Sequence, residues 1–182
     1  MVIPFLPLAI IPLLSIIFQL NLFHFSNLPQ LGLFTLLATM TGFAEEAIFR
    51  GIAVRAFQPK GILPAAIFSS LIFGVLHFAN LLVGADPVAT TVQVVFAILY
   101  GIAFSAPFLY TGLIWPLVIL HALQDLIAFW TTGSLTNTAT PAIGEILTTI
   151  VLIIPFAFYG LWLLRRRIKM EKGHNLVPSA AS

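Results

Sequence analysis

Residues 31 to 57 read LGLFTLLATMTGFAEEAIFRGIAVRAF, and this stretch decides the fold. It is long and apolar enough to cross a membrane as a helix, for which about 20 residues suffice. Near its middle lie three ionisable side chains, Glu45, Glu46 and Arg50. A charge at the bilayer centre costs roughly 2.5 to 3.5 kcal/mol on insertion scales, so such residues usually face a protein interior or a wet cavity. The stretch therefore predicts both a membrane helix and a place to look for function.

The composition of the whole chain supports a membrane protein. Of its 182 residues, 60% are hydrophobic and only 8% are charged, and the mean hydropathy is +1.08. Soluble domains carry about 25% charged residues. Lipid can cover an apolar surface provided that the backbone polar groups are paired within helices. We therefore predict an all-α polytopic transmembrane helical bundle.

Cysteine is absent from the chain, which excludes disulfides, thiolate catalysis and cysteine-ligated zinc. The net charge of +2 comes mostly from one cluster near the C-terminus. This charge gives no indication of a nucleic-acid partner.

The polar and Gly/Pro punctuation leaves room for about six membrane-spanning helices. We expect Pro4, Pro7 and Pro12 to kink or break the first of them at its start. In terms of domains, we predict an N-terminal accessory helix and loop at 1–30, a four-helix catalytic core at 31–131, a loop and C-terminal helix at 132–169, and a disordered tail at 170–182. The predicted spans are about 3–22, 31–57, 62–83, 89–109, 113–131 and 143–164.

Basic residues indicate the orientation, because cytoplasmic flanks of membrane helices are enriched in Lys and Arg. Arg55 and Lys60 follow the second span, and four more basic residues follow the sixth at 165–169. The loops near Asp86 and at 131–142 have none. Six spans put the two basic ends on one side, so we predict a multi-pass protein of the cell membrane with both termini in the cytoplasm. The apolar N-terminal segment lacks a basic region before it and is read as a retained helix, and the compact, leaderless architecture is typical of a prokaryotic protein.

A short set of ionisable residues falls inside the predicted spans. Because Glu46 and Arg50 are four residues apart, they share a helix face and can pair. Glu45 lies 100° round the helix from Glu46 and can point elsewhere. One carboxylate is thus expected to be structural and the other free for chemistry. The whole set is Glu45, Glu46, Arg50, His77, His121 and Asp125.

Two further pairs have the same spacing of four residues, namely Phe73 with His77 and His121 with Asp125. Taken singly, each of these residues also has a packing explanation. A buried histidine is often a hydrogen-bonded core residue, a Glu–Arg pair can simply fix helix packing, and Asp125 can merely orient His121. Their clustering in three of the six predicted helices favours a functional site.

The three clusters, in this order, resemble the motifs of a known family. EEAIFR at 45–50 matches its EExxxR motif, FGVLH at 73–77 its FxxxH motif, and HALQD at 121–125 its HxxxN or HxxxD motif. The chain is therefore similar to the CPBP family, the CAAX proteases and bacteriocin-processing enzymes, also called the Abi or type II CAAX prenyl endopeptidase family. The resemblance covers about residues 31–131. The chain departs from the family in its length, since members commonly have eight spans, and in carrying Asp125 where Asn is frequent.

The resemblance implies proteolysis within the membrane. Amide hydrolysis needs an activated water, stabilisation of the oxyanion and a proton for the leaving amine. By this resemblance Glu45 is the general base on water and His77 shares that water. His121, held by Asp125, stabilises the oxyanion or protonates the amine. Supporting roles fall to Glu46 and Arg50, as the buried pair that fixes Glu45, and to Phe73.

The resemblance also leaves a divalent metal open. The family has been described as metal-dependent, and Glu45, His77 and His121 form an acceptable zinc set with a fourth position for water. The absence of a local HExxH motif favours the metal-free version slightly.

The expected partners are the lipid bilayer and a membrane-associated peptide or protein substrate, of the CAAX type or from bacteriocin or immunity-related processing. Two other functions compete with this hypothesis. The first is a non-proteolytic membrane scaffold or immunity protein that uses the buried charges for helix packing and partner binding. The second is a small proton-coupled transporter, which intramembrane Glu, His and Asp would also suit, although the chain lacks the internal repeat of many transporters.

Overall fold

A computed structural model describes residues 3–19 and 28–175, and in these ranges the protein is helical with no strand. The predicted all-α class is confirmed. Two short 3₁₀ turns, Ile3–Phe5 and Pro7–Ala9, precede the first helix. The described helices are α1 (Ile10–Gln19), α2 (Leu28–Lys60), α3 (Ile62–Val83), α4 (Pro87–Thr111), α5 (Trp115–Thr132) and α6 (Ile143–Asn175).

Four helices of the described part, namely α2, α3, α4 and α6, are long and apolar enough to cross a membrane. The apolar segment Ile3–Ile17 is shorter, and positions 20–22 of the first predicted span lie outside the described residues. Helix α5 has 18 residues and carries His121, Gln124 and Asp125 in its middle. These polar side chains lower the mean hydropathy of α5 below that of the other long helices.

Two helices change their winding along their length. Helix α2 is α-helical over Leu28–Glu46, becomes a π-helix over Ala47–Val54, and ends with a short α-helical and a 3₁₀ turn. Helix α3 is α-helical over Ile62–Leu76 and 3₁₀ over His77–Val83. Both changes fall at the sequence motifs, directly after Glu46 and at His77.

Small residues let the helices approach closely. A Cβ built on Gly42 of α2 would lie 2.8 Å from the backbone nitrogen of Ala122 on α5. On Gly74 of α3 it would lie 2.9 Å from the carbonyl oxygen of Val94 on α4. Membrane helices associate by such close packing, since lipid provides no hydrophobic force between them. These crossings hold α2 against α5 and α3 against α4, the four helices of the predicted core.

The two ends of the bundle differ in charge. Ile62, at the start of α3, packs in one cluster with Ala106 of α4 and with Leu163 and Leu164 of α6. The basic end of α2 and the basic end of α6 therefore lie at the same end of the molecule, as the charge pattern predicts.

At the opposite end, the two loops without basic residues contact each other. The amide of Asp86 donates to the carbonyl of Asn137 at 3.0 Å, and the Thr140 hydroxyl donates to the Asp86 carboxylate at 2.7 Å. Asp86 also caps α4 by accepting from the amide of Ala89, ahead of Pro87 at the first helical position.

The C-terminal boundary differs from the predicted one. Helix α6 does not end with the apolar span at 164 but continues through the mostly polar residues 165–175. Residues 170–175 of the predicted disordered tail are thus helical, and residues 176–182 lie outside the described part of the chain.

Candidate active site

The site begins where α2 changes from an α-helix to a π-helix. Glu45 and Glu46 are the last two residues of the α-helical part, and Arg50 lies in the π-helical turns that follow. The Ser69 hydroxyl, from α3, donates to the carbonyl of Phe49 in this segment at 2.8 Å. π-helical turns inside α-helices occur frequently at functional sites, and here the change of winding falls within the EExxxR motif, between Glu46 and Arg50.

Glu46 and Arg50 form the predicted buried ion pair. Arg50 Nη1 lies 2.8 Å from Glu46 Oε1, and the side chains are 1% and 0% exposed. The guanidinium carbon of Arg50 lies 4.8 Å from the ring centre of Phe73 and 5.6 Å from that of Phe104. A desolvated cation gains from aromatic faces at such distances, so these rings stabilise the buried charge from α3 and α4.

His121 of α5 connects this pair to the other carboxylates. Its Nδ1 lies 2.8 Å from Glu46 Oε1. A carboxylate paired with arginine accepts and does not donate, so Nδ1 carries the proton of this hydrogen bond. The other ring nitrogen, Nε2, lies 3.4 Å from Glu45 Oε2 and 3.8 Å from Asp125 Oδ1. The imidazole is thus fixed through one nitrogen and presents the other to two acids.

The hydrogen bond that holds the His121 ring is made with a different residue than the sequence predicts. Asp125 was expected to hold this ring, but its 3.8 Å separation exceeds hydrogen-bond length. Glu46 makes the short bond instead. The two residues are 75 positions apart on different helices, and spacing along one helix gives no signal for such a contact.

The carboxylates differ in access. Glu46 is 0% exposed, whereas the side chains of Glu45 and Asp125 are 29% and 24% exposed. The Nε2 side of His121 is therefore open to the molecular surface, whereas the Nδ1 side is closed.

His77 lies at the first residue of the 3₁₀ segment of α3 and is half-buried. Its Nδ1 lies 2.9 Å from the carbonyl oxygen of Phe73. Since a carbonyl only accepts, Nδ1 carries the proton and Nε2 of the neutral ring keeps a lone pair. The Phe73 ring lies between the two imidazoles, with centre-to-centre distances of 4.9 Å to His77 and 5.9 Å to His121. Phe73 therefore spaces the two histidines.

Tyr100 of α4 borders the site and was not singled out from the sequence. Its ring centre lies 5.5 Å from that of His121, and the residue is buried. The signal that points to it is an aromatic residue at every fourth position of α4, at 96, 100, 104 and 108. This spacing puts a column of rings on one helix face, and two of them, Tyr100 and Phe104, contact the ring of His121.

The structure thus joins five of the predicted site residues in one cluster centred on His121, and Phe73 contacts both this ring and His77. The five are Glu45, Glu46, Arg50, His121 and Asp125. Among the described residues, no three carboxylate or imidazole side chains converge closely enough to hold a metal ion. The set Glu45, His77 and His121 does not fit a zinc site in this arrangement.

Acids and an imidazole gathered inside a bundle of apolar helices mark a functional site in a membrane protein. The family model for type II CAAX prenyl endopeptidase, Rce1-like, matches residues 27–127, more than half of the chain. The chain belongs to this family, and the resemblance seen in its three motifs is confirmed. The family implies a CAAX-type membrane protease in general. Searches of curated proteins and of solved structures return no match.

Proposed function

We propose that this protein hydrolyses a peptide bond of a membrane-associated substrate by means of a water molecule activated by Glu45. One observation carries the proposal: His121 is anchored through Nδ1 to the fully buried Glu46, while Nε2 faces the partly exposed Glu45 and Asp125. A ring fixed on one side and accessible on the other suits proton transfer.

In the first step, Glu45 takes a proton from water as the oxygen attacks the carbonyl carbon of the scissile peptide bond. His77 accepts a second hydrogen bond from the same water through its unprotonated Nε2, because Nδ1 is committed to the Phe73 carbonyl. Two acceptors on one water fix the direction of its lone pair, which lowers the entropic cost of attack.

In the second step, the tetrahedral intermediate collapses as the carbon–nitrogen bond breaks and the leaving amine takes up a proton. The proton held by Glu45 passes to His121 Nε2, 3.4 Å away, and from there to the amine. The products are a new carboxyl terminus and a new amino terminus. While it carries this proton, the imidazolium also stabilises the oxyanion of the tetrahedral intermediate until the carbon–nitrogen bond breaks.

The remaining residues position these groups. Arg50 neutralises Glu46, so that a charged acceptor for His121 Nδ1 is maintained in a dry interior. Phe73 packs against Arg50 and both imidazoles. Asp125, on the open side of His121, stabilises the ring when it is positively charged.

We further propose that the site opens to the cytoplasmic side of a prokaryotic cell membrane, with both termini there. The basic residues at one end of the bundle support this orientation under the positive-inside rule. The substrate is a membrane-associated peptide or protein of the CAAX type, or one from bacteriocin or immunity-related processing. Family membership supports the CAAX type.

The test is cleavage of a membrane-peptide library by the purified protein in detergent, with products read by mass spectrometry. We expect the wild type to cleave a subset of peptides and both Glu45→Ala and His77→Ala to cleave none. Glu171→Gln, at an exposed ion pair far along α6, serves as a matched control and should keep full activity. Full cleavage by both site variants would refute the proposal.

The competing function is a non-proteolytic scaffold or immunity protein, favoured by the complete burial of the Glu46–Arg50 pair. Under that function, Arg50→Ala would lower stability, and no peptide in the library would be cleaved by the wild type. The two functions agree on stability and differ on wild-type cleavage, so the same library distinguishes them.

A further inference from the structure

The basic end of α6 has a stripe of positive charge on one face, made up of Arg165, Arg166, Lys169 and Lys172. These residues follow Trp162 by three, four, seven and ten positions, which places them within about one third of the helix circumference. The stripe borders a groove of about 490 Å³ that is lined by Trp162, Arg165, Arg166, Ile168, Lys169 and Lys172.

The stripe is not balanced by acids in the described part of the chain. No carboxylate lines the groove, and none forms an ion pair with its four basic residues. The neighbouring Arg167 contrasts with them, because it points elsewhere and pairs with Glu171 at 3.3 Å. Four like charges around one groove repel each other unless an anion enters it.

The groove is lined by residues of α6 alone and lies on the face of this helix that is turned away from α3 and α4. On the opposite face of α6, Leu163 and Leu164 are buried against α3 and α4. Trp162 is stacked on Tyr159 at 5.9 Å between ring centres, and such aromatic residues mark the membrane–water interface. Arg166 lies over the Trp162 ring at 4.7 Å, which pins its guanidinium beside the groove.

We propose that this groove binds the phosphate of an anionic phospholipid headgroup from the surrounding bilayer. Charge complementarity supplies the attraction, and the interfacial aromatic pair sets the depth at which the phosphate lies. The positive-inside rule accounts for basic residues at this end of the protein but not for their grouping on one face around one groove. Basic clusters directly beyond a membrane helix are typical sites for anionic lipid.

The test is native mass spectrometry of the intact protein in detergent, titrated with phosphatidylglycerol or with phosphatidylcholine. We expect the wild type to bind at least one phosphatidylglycerol at least tenfold more tightly than phosphatidylcholine. Lys169→Gln should weaken this preference severalfold, and Arg165→Gln combined with Lys169→Gln should abolish it. Arg167→Gln removes the same single charge at the same depth outside the groove, and should leave the preference unchanged.

Three outcomes would overturn the proposal. They are equal binding of the two lipids by the wild type, equal weakening by Lys169→Gln and Arg167→Gln, and displacement of the lipid by inorganic phosphate at millimolar concentration, which would assign the groove to a free anion. Arg165 and Lys169 are exposed and Arg167 is partly exposed, and thermal unfolding of each variant in detergent checks that it is folded.

Discussion

Glu45 and Glu46 are neighbours in the chain and have different environments. Glu46 is sealed between Arg50 and His121, with no exposed surface, whereas Glu45 is 29% exposed and faces the outer nitrogen of the same imidazole. The 100° step between adjacent helical residues separates them. Their different surroundings support a structural role for one and a chemical role for the other.

Replacing Glu46 by Gln should strongly destabilise the fold. The change leaves the buried Arg50 charge without its counter-ion, and breaking such a pair by removing one partner costs about 3 to 5 kcal/mol. The measurement is thermal unfolding of the purified variant in detergent. Glu171→Gln removes the same charge from an exposed pair and should change stability by less than about 1 kcal/mol. Equal stability of Glu46→Gln and the wild type would contradict the burial argument.

The sequence predicts part of this residue-level arrangement. The Glu46–Arg50 pair follows from their spacing on one helix. The bond between Glu46 and His121 depends on the register between α2 and α5, which is set by the close approach of Gly42 to Ala122. Residue spacing within one helix carries no information on the register between two helices. It therefore predicts Asp125, four residues from His121, as the partner of this ring and not Glu46.

At the scale of the helices, the π-helical segment of α2 determines where Arg50 points. A π-helix leaves its turns wider and its hydrogen bonds less regular, so that side-chain donors contribute to its stability. Ser69 of α3 supplies one such donor to the carbonyl of Phe49. The segment therefore depends on its neighbour as well as on its own sequence.

Ser69→Ala should lower the free energy of unfolding by about 0.5 to 1.5 kcal/mol, the usual net contribution of one hydrogen bond. It should also lower cleavage activity, because Arg50 and Glu46 border this turn. Ser105→Ala is the matched control: its buried hydroxyl has no hydrogen-bond partner among the described residues, so its removal should leave stability unchanged or raised. Thermal unfolding of both variants makes the comparison, and a larger loss from Ser105→Ala would contradict it.

The bounds of the middle helices were predictable to within a few residues, whereas the C-terminal end of α6 and the winding of the helices were not. The predicted spans 62–83 and 89–109 correspond to Ile62–Val83 and Pro87–Thr111, because Gly61, Gly84 and Gly112 end or begin the turns between them. The π turn after Glu46 and the 3₁₀ turn at His77 leave no mark in hydropathy. They arise from packing between helices, which local sequence does not encode.

At the scale of the whole molecule, Asp86 joins two loops at the end without basic residues. Its carboxylate accepts from the Thr140 hydroxyl and from the amide of Ala89. These hydrogen bonds, that from Thr140 first, hold the pKa of Asp86 below its ordinary value of 3.8. A lowered pKa in the folded state stabilises the fold above pH 3.8, and this contribution is lost as the pH falls through the folded value.

We therefore expect the unfolding temperature of the wild type to fall more steeply on acidification below about pH 4 than that of Asp86→Asn. Thr140→Val should reduce the same slope, since it removes the main cause of the lowered pKa. The measurement is thermal unfolding in detergent across this acidic range. Identical slopes in the wild type and Asp86→Asn would contradict the assignment.

The grouping of the two ends was predictable from charge together with the expected alternation of six spans. That alternation puts the basic ends of α2 and α6 on one side, and Ile62 packs with Leu163 and Leu164 at one end of the bundle, in agreement with it. The alternation also predicts that the Asp86 loop and the loop containing Thr140 lie at one end, but it does not predict the hydrogen bond between these two residues. Alternation of helices fixes which loops share an end, and side-chain packing decides which atoms meet.

The most direct test of the account is the steady-state cleavage rate of Glu45→Gln on a peptide cleaved by the wild type, measured together with its unfolding temperature. We expect kcat to fall at least a hundredfold, as the loss of a general base does, with an unfolding temperature close to that of the wild type because Glu45 is partly exposed and outside the buried pair. A Glu45→Gln variant that cleaves at the wild-type rate would contradict the central claim.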